Sequence, residues 1–421
     1  MRLNVSIEIN GEQIPAGVIE GDDVNSYEFR YLDEYIDSGS PAISISLPIQ
    51  NDAFTPSQTK CFFDGLLPEG FTRRSVAQSI HTDSDNYIDI LRALGEECIG
   101  AIRIYEDGDS DDVGNYRKLS LEQIRELASK GAVKASQINV GTRLSLAGAS
   151  GKVGLAYDGN GTWYLPEGMA ASTHIVKQSH VRLDSIVLNE CLCMNTARRM
   201  GLNTSECFII NTAEGRDEEI LLASKRYDRI YDESSFKADE PIFVKKLHQE
   251  DFAQALSVEA IRKYEEPGQH RLRDIFELLR KYSANPVEDT LELWRRIIFD
   301  YLVGNTDCHI KNFSFLYSED LKSKRLSPVY DVLSTSIYES TNKDFAMGIG
   351  GSVNIRDITR GNFERAAEEI GLGHKIAMNI LDDMSDGFEE ALLQTAAEIK
   401  RQGFVEAGKI AERILKAGGR F

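Results

Sequence analysis

Apolar and polar residues alternate at the start of the chain, which is the pattern of a β-strand with one buried face. The alternation runs through Val5–Ile9, and Asn10-Gly11 directly after it is a two-residue hairpin signal. Two further segments, Tyr27–Tyr31 and Ala42–Leu47, have the composition of strands. The pattern therefore predicts that the chain begins with β-structure.

Helical spacing replaces this alternation from Thr59 onward. One helix is predicted over Tyr87–Leu94, with Gly95 as its stop signal, and Cys98–Tyr105 returns to a strand pattern. We interpret residues 1–138 as a first α+β unit.

A strand, a helix and two further strands follow in the next part of the chain. The strand is predicted at Thr173–Lys177, the helix at Asp184–Met200, and the two later strands at Glu206–Asn211 and Ile220–Arg226. This order is typical of the nucleotide-binding lobe of a kinase-like fold, which we expect over residues 139–245.

Helices dominate residues 246–421. An apolar stripe marks one of them, formed by Leu291, Trp294, Ile297, Ile298, Tyr301 and Leu302. That helix should end at Gly304, and the tail Phe363–Leu415 is mostly helical again. The expected fold class is α+β: a bilobal protein-kinase-like fold with an extra N-terminal α+β subdomain and a mostly helical C-terminal lobe.

Composition and charge narrow the possible functions. Hydrophobic residues form 42% and charged residues 27% of the chain, which is typical of a globular protein. The net charge of -19 argues against binding nucleic acid over a broad face, because such binding needs Lys and Arg to neutralise phosphates. No apolar run approaches the roughly 20 residues of a transmembrane helix, and the N-terminus lacks an apolar signal-peptide core. The six cysteines show no paired spacing, so we expect reduced thiols and a cytoplasmic location.

The candidate chemistry lies in the segment 304–312. Phosphoryl transfer needs an aspartate for the substrate hydroxyl, an amide that holds a metal ion, and a second aspartate on the metal. Asn312 follows Asp307 by five residues, which is the spacing of the protein-kinase catalytic loop, and Asp331 follows a predicted strand. Each residue alone more often makes a turn or a cap. Their succession, with His309 in the same loop, favours a functional role.

A segment rich in small residues, 144–152, is a candidate phosphate loop because backbone N–H groups can approach a phosphate closely there. It is not a Walker A motif, since Lys152 is followed by Val153 and the glycine spacing differs. Lys177 at the end of its strand can reach phosphates, and Glu190 on the next helix could pair with it. A flexible surface loop and a surface lysine are the alternatives.

Several segments together resemble the HipA family, and the similarity runs from about Ser26 to at least Gly351. The segments are the Asn-x-Asp-x-His-x-Lys-Asn loop, the Ser-x-Ala-Gly-Ala-x-x-Lys loop, the Pro-x-Tyr-Asp segment, Lys225–Arg229, Gln249–Leu256, and Phe62–Gly70 followed by Arg73-Arg74.

The resemblance implies a role for individual residues. Asp307 would be the catalytic base, with His309 beside it among the catalytic candidates, and Asn312 and Asp331 would bind Mg²⁺. Ser145 matches the family's autophosphorylated serine. The ATP contacts would come from Ala147, Gly148, Ala149, Lys152, Lys177, Lys225, Tyr227 and Lys311, with Lys225–Tyr227 as the segment that meets adenine.

The resemblance also implies a function. Family members are Ser/Thr protein kinases that act as toxins of type II toxin–antitoxin pairs. They transfer the γ-phosphate of ATP to a cytosolic protein of translation, typically an aminoacyl-tRNA synthetase. A small DNA-binding antitoxin of the HipB type neutralises them, so contact with DNA is expected only through that partner.

The chain departs from the family pattern at two places. Ser150-Gly151 stands where a Gln-Glu pair is usual, which makes Ser150 a second possible phosphate acceptor, and Lys225 stands where Glu is common. A phosphate on Ser145 would place roughly -1.5 to -2 charge beside the site for ATP phosphates, and we expect it to switch the enzyme off.

Two other functions stay open at this point. The acidic chain would suit a basic partner, so a corepressor that only binds a DNA-binding antitoxin is one alternative. A small-molecule kinase is the other, because antibiotic and choline kinases use a similar Asp-x-x-x-x-Asn loop. The N-terminal subdomain and the Ser-x-Ala-Gly-Ala loop argue against the second alternative.

Overall fold

The computed structural model describes residues 1–108, 114–148, 151–179, 183–232 and 243–420, and the fold is α+β as expected. The strands are β1 (Arg2–Ile9), β2 (Glu12–Glu20), β3 (Glu28–Tyr31), β4 (Ile102–Tyr105), β5 (Asn115–Lys118), β6 (Lys152–Tyr157), β7 (Trp163–Glu167), β8 (His174–Gln178), β9 (Cys207–Asn211), β10 (Ile220–Lys225), β11 (Arg229–Ile230), β12 (Lys245–Lys246), β13 (Gln249–Asp251), β14 (Ser314–Tyr317), β15 (Lys324–Leu326), β16 (Asp344–Ile349) and β17 (Ser352–Asn354). The helices are α1 (Asp33–Asp37), α2 (Pro56–Phe63), α3 (Gly70–Ser79), α4 (Tyr87–Leu94), α5 (Leu121–Thr142), α6 (Ile186–Arg199), α7 (Phe252–Ala255), α8 (Arg271–Tyr282), α9 (Pro286–Val303), α10 (Arg360–Glu369), α11 (His374–Arg401) and α12 (Glu406–Ala417).

The chain divides into two compact units. The first comprises Met1–Gln178, Ala223–Ala260 and Phe315–Lys324. The second comprises Ser179–Leu222, Ile261–Ser314 and Arg325–Phe421.

The predicted N-terminal hairpin is confirmed in the first unit. Strands β1 and β2 pair antiparallel, with Ile9 opposite Glu12, and the sheet order is β3-β2-β1-β4. The turn residues Asn10 and Gly11 have φ of 54° and 87°. A two-residue turn with positive φ at both central positions matches the right-handed twist of the strands, which is why Asn-Gly suits it.

The expectation of a strand over Ala42–Leu47 is wrong. The segment is a turn that keeps only an isolated bridge between Ser44 and Leu47. Its polar groups are satisfied by side chains instead, because the Ile45 N–H donates to the Glu250 carboxylate at 3.1 Å and the Ser44 hydroxyl donates to it at 2.6 Å. Glu250 is more than 200 residues away in the chain, so local pattern could not reveal this competition.

A second sheet in the first unit carries several of the residues that are expected to bind the nucleotide. Its strands lie in the order β5-β7-β6-β8, and the Ala223–Lys225 end of β10 follows β8. The long helix α5, interrupted at Gly131 with φ of 61°, leads into this sheet through the candidate phosphate loop.

The second unit is built around helix α9, as its apolar stripe predicts. Trp294 and Tyr301 of this helix are buried, and both pack edge-on against Phe363 of α10. The Trp294 indole N–H donates to the Ala377 carbonyl of α11 at 3.1 Å. The helical tail is therefore part of the core that supports the end of α9.

All six cysteines are buried thiols without a disulfide. Across the described residues, no helix combines the length and apolar character that crossing a membrane requires.

Four charged side chains form a buried cluster in the first unit, which we call the ion cluster: Glu97, Arg226, Asp228 and Arg229. Arg226 donates two hydrogen bonds to Asp228, at 2.7 and 2.9 Å, and one to Glu97 at 3.1 Å. Arg229 bridges the same two carboxylates at 3.0 and 3.2 Å. The guanidinium groups have no exposure and the carboxylates have 5%.

Electrostatics decide the charge state of this cluster. Burial alone would raise the pKa of the Glu97 and Asp228 carboxyls, but Arg226 and Arg229 outweigh it and hold both pKa values below their usual range. The cluster therefore stays ionised, and removing one member leaves a buried charge without its counterpart.

We expect Asp228→Ala to lower the free energy of unfolding by about 3–5 kcal/mol, because Arg226 and Arg229 lose a buried anion that both contact. Urea titration monitored by circular dichroism measures this loss. The matched control is Arg117→Ala, which breaks a half-exposed pair with Glu167 at 2.6 Å and should cost about 0–1 kcal/mol. Equal losses in the two variants would contradict the argument.

Candidate active site

The candidate phosphate loop is held by the N-terminal part of the first unit. Ser145 is fully buried, its N–H donates to the Glu97 carbonyl at 2.8 Å, and its hydroxyl donates to the Leu66 carbonyl at 2.7 Å. At the other end of the loop, the Glu69 N–H donates to the Gly148 carbonyl at 3.0 Å. The predicted acceptor serine thus faces a carbonyl oxygen inside the protein.

Gly148 has a backbone conformation in which any other residue would be strained. Its φ is +107°, a region that favours glycine, and an added Cβ would lie 2.8 Å from the Lys152 Nζ. The Lys152 ammonium therefore lies directly against the loop backbone. Ala147 is half-buried beside Gly148, while Ala149 and Ser150 lie outside the described residues.

The structure brings Lys152 and Lys177 together. They are directly opposite each other on the antiparallel strands β6 and β8, and both are at least 92% buried. Residues directly opposite in such a pair extend from the same face of the sheet, and like charges in that position are unfavourable. The structure therefore places two of the lysines expected to contact ATP side by side on one sheet face.

The side chains of Lys225–Tyr227, the segment expected to meet adenine, make three different kinds of contact. The Lys225 ammonium lies 5.3 Å from the ring centre of Tyr231. The Tyr227 hydroxyl hydrogen-bonds to the Gln249 side chain, and Arg226 between them points into the ion cluster. Family resemblance identified this segment, but the burial of Arg226 had no local signal.

The catalytic loop in the second unit begins where α9 ends. Gly304 has φ of 72°, and an added Cβ would lie 2.0 Å from the Ser336 hydroxyl, so only glycine fits. Asp307 follows with an exposed side chain. The Asn312 side-chain amide donates to the Asp307 carbonyl at 3.0 Å, and the His309 N–H donates to the same carbonyl at 2.8 Å. The five-residue spacing thus closes into a compact turn.

Asp331 is attached to this loop through its neighbour. The Tyr330 hydroxyl donates to the Lys311 carbonyl at 2.9 Å, which ties the Pro-x-Tyr-Asp segment to the loop. Asp331 itself has φ of 59°, a left-handed conformation that is uncommon for a residue other than glycine and that occurs often at functional sites. The Tyr330 hydrogen bond therefore anchors the backbone directly before Asp331.

The donor chemistry of Asn312 and Asp331 fits Mg²⁺. The amide nitrogen of Asn312 is used by the Asp307 carbonyl, which leaves its oxygen as the side-chain acceptor, and Asp331 offers a half-exposed carboxylate. Mg²⁺ takes hard oxygen ligands from one or two such groups and completes its shell with water and phosphates. The described residues contain no group of three or more His, Cys, Asp or Glu side chains that could hold a metal ion.

His309 and Lys311 are buried beneath the loop. Burial, followed by the nearby ammonium groups of Lys263 and Lys311, holds the pKa of His309 well below its usual value. The imidazole is therefore neutral, and its ring packs edge-on against Tyr264 at 5.4 Å. This buried environment favours a packing role for His309. A role of His309 in proton transfer stays a prediction.

Two contacts of the loop had no signal in the sequence. The Tyr264 hydroxyl donates to the Asp307 Oδ1 at 2.9 Å, from 43 residues earlier in the chain. Beneath the loop, the Asn305 amide donates to the Asp300 carboxyl at 2.8 Å. Burial raises the pKa of Asp300 to about 7, although the Asn305 hydrogen bond opposes the shift.

Two protein-family models match this chain. The model of the HipA-like C-terminal domain matches residues 144–392, and the model of the HipA N-terminal domain matches residues 7–105.

Full-length relatives support the same assignment. A putative kinase, Y4mE of Sinorhizobium fredii, is 33% identical over 86% of this chain and 85% of its own length. The serine/threonine-protein kinase toxin HipA of Shewanella oneidensis is 26% identical over 88% of this chain and 84% of its own. A solved structure of the Shewanella oneidensis HipA, HipB and operator DNA complex superposes with a TM-score of 0.79 at 22% identity, covering 98% of this chain and 96% of that chain. The last match shows that the fold is shared.

Because both domain models match in the expected order and a relative above 30% identity spans most of both chains, this chain belongs to the HipA family.

Proposed function

We propose that this chain is an ATP- and Mg²⁺-dependent Ser/Thr protein kinase that acts as the toxin of a type II toxin–antitoxin pair. The carrying observation is the closed Asp307–Asn312 turn, to which Tyr330 ties Asp331. This is the set of groups that phosphoryl transfer requires, built from residues that three different hydrogen bonds hold in place.

The proposed reaction moves the γ-phosphoryl group of ATP to the oxygen of a serine or threonine, and ADP leaves. Asp307 accepts the proton of the acceptor hydroxyl, and its exposure gives a protein substrate access. Asn312 and Asp331 hold the metal, which supplies positive charge to neutralise phosphate oxygens. Lys152 and Lys177 bind phosphate oxygens through the face of the sheet that they share.

We further propose that the partner is a HipB-like DNA-binding antitoxin, since the Shewanella oneidensis relative forms such a complex with operator DNA. The net charge of -19 supports contact with DNA through that partner alone. A translation protein such as an aminoacyl-tRNA synthetase is the expected substrate. Six buried thiols agree with the reducing cytoplasm as the location.

Self-phosphorylation at Ser145 requires the phosphate loop to leave its place. The hydroxyl is buried and hydrogen-bonded to the Leu66 carbonyl, so no phosphate donor can approach it there. After transfer, a phosphate would face that carbonyl oxygen and could not return. The modified loop would then no longer support nucleotide binding.

Asp307→Asn should lower phosphate transfer about 10²–10⁴-fold, because an amide cannot accept the proton of the hydroxyl. Intact mass after incubation with Mg-ATP, together with labelling of lysate proteins, measures the transfer. Asp383→Asn on the exposed surface of α11 makes the same chemical change elsewhere and should have no effect. If unphosphorylated wild-type protein transfers no phosphate to itself or to any lysate protein, the kinase proposal fails.

The antitoxin proposal has a separate test. Asp307→Asn should abolish growth inhibition, while the purified variant should bind a HipB-like antitoxin as tightly as the wild type does. The substitution leaves the fold and the charges of the rest of the surface unchanged. Binding is measured by isothermal titration calorimetry. Growth inhibition that survives the substitution would favour the pure binding function.

Ser145→Asp should weaken ATP binding by at least about tenfold, since it places a carboxylate against the Leu66 carbonyl and forces the loop out. Ser145→Ala only removes one donor, so it should bind ATP nearly as well as the wild type and continue transfer after the wild type has stopped. Titration with a non-hydrolysable ATP analogue measures the affinity. Equal affinity in both variants would mean that the loop position does not control binding.

A further inference from the structure

We propose that Tyr264 is a positioning residue for the catalytic base, and that it orients the Asp307 carboxylate toward the acceptor hydroxyl. The phenol oxygen donates to Asp307 Oδ1 at 2.9 Å. This inference deepens the proposed kinase function and rests on it, because Asp307 is the base only in that reaction.

The placement of Tyr264 is built into the second unit. The residue after it, Glu265, donates its N–H to the Ala346 carbonyl of β16 at 2.9 Å. The Ala346 N–H in turn donates to the carbonyl of Thr306 at 2.9 Å, and Thr306 directly precedes Asp307. One residue of β16 therefore holds the neighbours of both members of the Tyr264–Asp307 pair.

The Glu265 side chain adds a second attachment. Its carboxylate accepts the N–H of Arg271, where α8 begins, at 2.9 Å and the N–H of Gly348, also in β16, at 3.2 Å. On the other side, the Tyr264 ring packs edge-on against the buried His309. These bonds hold the backbone next to Tyr264, and the ring itself, 45% exposed, rests against His309.

A hydrogen bond from Tyr264 suits the chemistry of a general base. Asp307 is exposed within the loop 304–312, where a carboxylate rotates readily, and a donor on Oδ1 restricts that rotation. A carboxylate accepts about four hydrogen bonds, so the contact leaves capacity for the acceptor hydroxyl. The base is in this way oriented by a third group, as activated nucleophile–base pairs commonly are.

The alternative is that the phenol blocks the acceptor position and a substrate must displace it. The two possibilities predict opposite effects of removing the hydroxyl. The attachment of Glu265 to β16 favours positioning. A side chain that substrate displaces would not be expected to have its neighbour bonded to the same β16 residue that holds the catalytic loop.

Tyr264→Phe tests the proposal because it removes only the hydroxyl. We expect kcat for phosphate transfer to fall about tenfold with KM for ATP unchanged. Tyr282→Phe, at the end of α8, is the matched control and should change neither kcat nor KM.

Two further measurements separate positioning from a structural role. In the Asp307→Asn background, Tyr264→Phe should have no further effect on the residual rate, because Tyr264 acts through Asp307. The carboxyl ¹³C chemical shift of Asp307 at one fixed pH, which needs no activity, should differ between the wild type and Tyr264→Phe, because the phenol is hydrogen-bonded to that carboxylate.

These outcomes keep the two proposals distinguishable. A wild-type protein without phosphate transfer defeats the kinase function, while the ¹³C chemical shift of Asp307 still tests the Tyr264 contact. An unchanged or increased kcat in Tyr264→Phe, or an unchanged ¹³C chemical shift of Asp307, overturns the positioning role.

Discussion

A buried set of opposite charges connects the segments of the first unit. Glu97 precedes β4, Arg226 and Asp228 follow β10, and Arg229 lies in β11, so distant parts of the chain meet in one place. The same Glu97 carboxylate accepts the N–H of Ser172 at 2.9 Å, and its carbonyl holds the N–H of Ser145. Because a buried ion is costly without every partner, the N-terminal sheet, the phosphate loop and the sheet with Lys177 depend on one another.

A second polar network explains why the Gln249–Leu256 segment carries the family resemblance. Asp251 and Gln254 cap α7 reciprocally, and the Gln254 amide also donates to the Phe62 carbonyl at 2.9 Å. Glu250 is fully buried, and burial raises the pKa of its carboxyl although Ser44 and Tyr317 donate to it. These residues position the N-terminal segments and do not touch the reacting groups. A segment that resembles the family can therefore serve the structure of a buried polar network, and not only catalysis.

The second unit holds its catalytic loop mainly with hydrogen bonds from outside the loop. Tyr330 attaches Asp331, Asn305 rests on Asp300, and β16 carries both Thr306 and the segment of Tyr264. Backbone donors and acceptors of a loop must find partners, and two carbonyl groups of this loop find them far along the chain: Ala346 donates to Thr306, and Tyr330 donates to Lys311. The loop backbone is thus anchored at several points, while the Asp307 side chain is exposed.

The sequence by itself determined the fold class, the N-terminal hairpin, the helix that ends at Gly304 and the spacing of Asp307 and Asn312. These features depend on local periodicity, on glycine conformation and on short motifs, all of which are written within a few neighbouring residues. Only the tertiary structure decided that Ala42–Leu47 is a turn, that Arg226 enters a buried ion cluster, and that Ser145 faces the Leu66 carbonyl. It alone brought Tyr264 to Asp307. In each case the deciding partner lies 40 or more residues away, and a buried polar group chooses its partner by position in space, which no local pattern encodes.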